Sequence, residues 1–188
     1  NTPDRLAPGS DQLRNALASG AEVFETVENT VLYQTHARMV FYTWGERDCC
    51  LPKGATQATL KGNFPHLKAG DVLVFAEKLG PRTGLAEDAD RGHRWAVRLT
   101  DVRLSTDPFG KLFESESESE SESESESESE SGPLDVDVTE IQWAEQDALP
   151  FPLCLSTTIT DQNDNSVYLD KVSVAYGNIV LADHGRTV

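Results

Sequence analysis

Sulfur is scarce in this chain: three cysteines and one methionine among 188 residues. Three is an odd number, and Cys49 and Cys50 are adjacent, so no disulfide framework is readable. Reduced thiols in a cytosolic setting are the expectation. Long apolar runs are missing as well, which leaves no candidate membrane helix. Basic residues are few, 16 against 32 acidic ones, and the formal charge is −16. That figure overstates the acidity of the folded part. Residues Glu114 to Ser131 are nine consecutive Glu-Ser dipeptides, and without them 23 acidic residues face 16 basic ones, a net of −7. A charge of this size suits an ordinary soluble domain and argues against the basic footprint of a nucleic-acid binder.

What remains is rich in strand signals. A short lead comes first, residues 1–20, with a helix capped by Ser10, an apolar face of Leu13, Ala16 and Leu17, and a stop at Gly20. Met39 to Trp44 is β-branched and aromatic and ends at Gly45. The Gly70-Asp71 turn precedes the apolar run Val72 to Phe75. From Arg94 to Leu104 the alternation is clean, with Trp95, Val97 and Leu99 on one side and Arg94, Ala96, Arg98 and Thr100 on the other. Further strands are expected over 136–143, 152–159, 167–177 and 178–185, with Asn163, Asp164 and Asn165 at a hairpin tip. The pattern predicts a mainly β fold, a small barrel-like or sandwich domain built from 21–113 and 132–188. The Glu-Ser run, 114–131, has nothing apolar to bury and is expected to be a disordered insert between two strands.

Chemistry-bearing patterns are weak. Cys49, Cys50, Cys154, His36, His66, His93 and His184 fall into no zinc spacing, so no metal is expected. Asp161, Asn163 and Asn165 match the start of a calcium loop, but Ser166 stands where glycine is needed and Val172 where the bidentate glutamate belongs. Asp183-His184-Gly185 resembles an acid–base pair in a turn, without a nucleophile elbow beside it. Glu87 to Asp90, followed by Arg91, His93 and Arg94, suits a surface loop that pairs with itself or contacts a partner. No cofactor pattern occurs, and no catalytic residue is assigned; the chain is expected not to be an enzyme.

Several segments together resemble the baseplate assembly proteins of contractile phage tails and extracellular contractile injection systems. They are "YTWGERDCCLPKGA", "LKAGDVLVFAE", "GPRTG", "DALPFPLC" and "GNIVLADHG", and the likeness runs in order through most of residues 24–188. Members of that family are longer, so the resemblance implies an internal region of a wedge-type component joining hub and tube to sheath. It further implies neighbouring baseplate, hub and sheath-proximal subunits as partners, assembly in the cytoplasm, and a final place in a tail or injection particle. The Glu-Ser run departs from the family pattern and occupies the place of a variable loop. Arg82, Thr83, Asp183, His184 and Arg186, in two presumed turns, are the candidate subunit contacts. No nucleic acid or membrane insertion is expected, and the isolated piece is expected to be monomeric. The rival reading is a carbohydrate- or receptor-binding adhesive module, which requires Trp44, Trp95 or Trp143 to line an exposed surface.

Overall fold

The computed structural model describes residues 9–111, 135–161 and 164–184. The expected disorder of the Glu-Ser insert lies outside the described residues, as does Arg186. The described residues are mainly β, with 38% strand and 13% helix. It divides into two compact units, residues 1–31 with 180–188, and Leu32–Ile179.

The first unit holds helix α1 (Asp11–Ala18) and strand β1 (Phe24–Thr26), the latter paired antiparallel with β12 (Ala182–His184). Ser10 caps α1 as expected: its Oγ accepts the Leu13 N–H at 3.2 Å, satisfying one of the orphan donors of the first turn. Gly20, at φ +83°, turns the chain away in a conformation that other residues adopt only at a cost. None of the helix's side chains is buried.

The second unit holds the core. Its strands are β2 (Met39–Val40), β3 (Cys50–Leu51), β4 (Gln57–Lys61), β5 (Val72–Glu77), β6 (Arg94–Asp107), β7 (Val136–Trp143), β8 (Leu153–Cys154), β9 (Thr157–Thr160), β10 (Ser166–Leu169) and β11 (Ser173–Tyr176). Six of them form an antiparallel sheet in the order β2-β11-β5-β6-β7-β4. It curls into a half-barrel. Beyond β2, Phe41 bridges to Leu60 of β4 and the Tyr42 N–H donates to the Thr59 carbonyl at 2.8 Å, so the two edge strands meet. That contact removes unpaired backbone groups that would otherwise invite another chain.

Inside the curl lie Leu73, Phe75, Val97, Leu99, Ile141 and Leu153, all essentially inaccessible. Phe75 meets Phe41 and Trp143 edge-on, with ring centroids 5.0 and 5.2 Å apart. Each such side chain contributes about 1.5–3 kcal/mol on burial. The alternation read from Trp95 to Leu99 is correct, and β6 then continues past Leu104 to Asp107. A register shift between Leu99 and Asp101 leaves Thr100 as an extra residue and reverses the phase, so Val102 turns inward. The stretch expected as one strand over 167–177 is two, broken at Asp170–Val172.

The expectation of reduced thiols is corrected for two of the three cysteines. Strands β3 and β8 pair antiparallel with Cys50 opposite Cys154, their Cα atoms 3.9 Å apart, and the two are disulfide-bonded. They lie 104 residues apart in sequence, so only the sheet topology brings them together. Cys49 stays a free thiol, and burial pushes its pKa up, helped by the nearby Glu46 carboxylate.

The chain enters and leaves this unit through a clasp. Asn178 Oδ1 accepts the Tyr33 N–H at 3.0 Å while Asn178 Nδ2 donates to the Tyr33 carbonyl at 2.8 Å. Asn178 has φ +57°, a region that asparagine tolerates better than most residues.

Candidate functional site

The segment 78–93, between β5 and β6, carries Arg82 and Thr83. Its far end is anchored by Glu77, whose side chain is buried at the end of β5. Glu77 Oε1 accepts the Asp90 N–H at 2.8 Å and Oε2 lies 2.7 Å from His93 Nδ1. The His93 ring in turn stacks on Phe151, with centroids 4.5 Å apart. A buried carboxylate is costly unless its oxygens are hydrogen-bonded, and here both are.

The tip is tied by its own atoms. The Gly80 carbonyl accepts the Thr83 and Gly84 N–H groups at 3.2 and 2.8 Å, and the Thr83 hydroxyl donates to Asp88 Oδ2 at 2.7 Å. At Gly80 a Cβ would lie 2.7 Å from Asp88 Cβ, so no larger residue fits without movement. Gly84, at φ +71°, sits against Leu169 and Ile159, which rests the loop on the β9–β10 hairpin. Thr83 is therefore a structural tie. Arg82 stands exposed on a fixed tip, and among the described residues its guanidinium has no partner. The acidic run Glu87 to Asp90 serves this loop: Asp88 binds Thr83, and Asp90 Oδ1 accepts the Gly92 N–H at 2.7 Å.

Asp183 and His184 are not in a turn. They belong to β12, where successive side chains point to opposite faces, so the supposed acid–base pair is split across the ribbon. His184 lies opposite Phe24, its ring 5.1 Å away, and Asp183 lies opposite Glu25. The turn reading failed because "ADHG" has turn composition while its partner strand stands more than 150 residues earlier. Around the ribbon, Phe24, Val27, Val31 and Leu181 are exposed, Leu181 by 75%. All buried hydrophobic residues among those described lie between Met39 and Ala175, in the other unit. The described residues of the first unit therefore have secondary structure without a buried core.

The three tryptophans differ in role. Trp143 is 3% exposed in the core, and Trp95 is part-buried with its indole N–H on the Asp147 carbonyl at 2.9 Å. Trp44 is 47% exposed. Among the described residues no three His, Cys, Asp or Glu side chains converge as a metal site. At the presumed calcium loop, the Asp161 carboxylate accepts the Asn165 N–H at 2.9 Å and so closes its own hairpin; Asn163 lies outside the described residues. Among the described residues no helix is long and apolar enough to cross a membrane. Comparison with protein-family models, with curated proteins and with solved structures finds no match.

Proposed function

We propose that this chain is a structural module of a contractile-tail or injection-system baseplate, working through protein–protein contacts with neighbouring baseplate, hub and sheath-proximal subunits. The observation that carries the reading is the exposed apolar ribbon of the first unit, whose described residues include no buried core. A two-stranded ribbon with Phe24, Val27, Val31 and Leu181 exposed is marginal by itself and gains stability when a neighbour covers it. Charge agrees with a protein partner. The described residues of this unit include Asp11, Glu22, Glu25, Glu28 and Asp183 against Arg14, which favours a basic and apolar counterpart. The ordered resemblance of "YTWGERDCCLPKGA", "GPRTG" and "GNIVLADHG" to baseplate assembly proteins names the kind of assembly. Arg82, exposed on a loop braced by Glu77 and Thr83, offers a second contact with a forked donor.

The test is particle assembly in cells producing the parent particle with the full-length protein. Phe24→Asp combined with Leu181→Asp is expected to abolish particles while the second unit melts unchanged. Arg82→Ala is expected to reduce yield several-fold. Normal yield from the double variant overturns the reading.

A further inference from the structure

Trp44 sits where a bulky residue is expensive. Residues 43–46 form a tight turn closed by the Glu46 N–H on the Thr43 carbonyl at 3.1 Å, with Trp44 at φ +57° and Gly45 at φ +83°. Asparagine, aspartate or glycine fills such a position without a large side chain to accommodate, whereas a tryptophan there is held in a backbone region that L side chains rarely adopt. The turn itself has no need of the indole. What the conformation achieves is display: the ring stands half exposed above the outer, convex face of the sheet, away from the core.

The ring is also fixed. Its Nε1–H donates to Thr59 Oγ1 at 3.2 Å, and it meets Tyr42 edge-on at 5.2 Å. Tyr42 is itself held by its hydroxyl on Asp107 Oδ2 at 2.7 Å. A ligand that lies on this indole therefore orders little that is not already ordered.

Thr59 opens a row across three strands. The registers place it opposite Glu140 of β7, and Glu140 opposite Arg103 of β6. One step along the strands, Gln57 faces Gln142, and Gln142 faces Asp101. Residues directly opposite share a face and strands lie about 4.8 Å apart, so each row spans about 10 Å, the length of two pyranose rings. Among the described residues, the side chains of Gln57, Glu140, Gln142 and Arg103 have no hydrogen-bond or ion-pair partner. Among the described residues, the charged side chains in and next to these two rows balance: Arg103 and Lys61 against Glu140 and Asp101. A flat aromatic bordered by uncommitted amide, carboxylate and guanidinium groups of no net charge matches a ligand with an apolar C–H face and a rim of hydroxyls. It does not match a phosphate or an anionic polymer.

We infer that the Trp44 face is a binding site for a neutral hexopyranose oligosaccharide, with one ring stacked on the indole and the next above Glu140 and Arg103. The site does not depend on the assembly reading, since it uses only the second unit. The probes are the tetrasaccharides of N-acetylglucosamine, glucose (β-1,4 and α-1,4), galactose and mannose, titrated into the whole chain and followed by tryptophan fluorescence and calorimetry. At least one is expected to bind saturably below about 10 mM. Trp44→Ala is expected to weaken it tenfold or more, to about one-tenth of the wild-type affinity. Arg103→Ala and Gln142→Ala, on the outer face of interior strands, are expected to weaken it several-fold without changing the melting temperature. The inference is overturned if no neutral tetrasaccharide saturates, if Trp44→Ala binds as well as the wild type, or if only an anionic polysaccharide binds. Loss of particle assembly on Trp44→Ala without any sugar binding makes the face a protein contact and also overturns it.

Discussion

His36 shows how a single side chain carries a cost that the fold tolerates. It is buried beside Tyr33 and Phe64, and its Nε2 has no hydrogen-bond partner. Burial lowers its pKa below the ordinary 6.5, with Asp71 opposing and His66 reinforcing the effect. A base whose folded-state pKa is depressed binds fewer protons folded than unfolded, so its contribution is complete above the unfolded value and erodes as the pH falls below it. The urea midpoint is accordingly expected to drop between pH 7.5 and pH 5.5, and to drop less in His36→Phe. An equal drop in both proteins removes His36 as the cause. Little of this was legible beforehand. A histidine in "QTHARM" looks like a surface residue, because the aromatic ring of Phe64 that buries it comes from a loop 28 positions later. Trp44 is a similar case: "YTWG" reads as the end of a strand, and only the backbone angles reveal the display. Trp95 and Leu99, by contrast, follow from alternation alone, since a period of two needs no partner to be recognised.

Elements were legible where local pattern decides them and obscure where a distant partner does. Helix α1 and strands β5 and β6 come directly from capping, periodicity and turn chemistry. β3, β8, β1 and β12 are two or three residues long and exist only because another short segment lies across from them. The β3–β8 pair is closed by the Cys50–Cys154 disulfide, which removes loop-closure entropy from the unfolded chain. For a loop of this length the contribution is about 2–5 kcal/mol. Thiol titration of the unreduced, denatured protein is expected to find one cysteine, Cys49, and not three. The Cys50→Ser, Cys154→Ser double variant is expected to unfold at clearly lower urea than the wild type; an unchanged midpoint shows that the bond adds nothing.

At the scale of the whole molecule, the Glu-Ser run enters through its ends. Strands β6 and β7 pair with Asp107 opposite Val136, so residues 108–135 leave and rejoin the sheet at neighbouring positions. Any chain that can close that hairpin satisfies the register, and closure entropy grows only slowly with length. Replacing Glu114 to Ser131 by a six-residue Gly/Ser linker is expected to leave the melting temperature within about two degrees. A fall of many degrees shows that the run packs against the sheet.

The Asn178 clasp gives the molecule a mechanical character. Both strands leading out of the larger unit are tied at Tyr33 and Asn178, and further along the same two segments zip together again as β1 and β12. Tension applied beyond this ribbon meets its three paired residues and then the clasp, where the Gly177 N–H on the His36 carbonyl adds a backbone bond to the two from Asn178, before β2 and β11 are loaded. Both yield one bond at a time under an opening pull. The strands of the half-barrel are thus loaded only after the ribbon and the clasp have opened, so a pull on these two segments is expected to open them first.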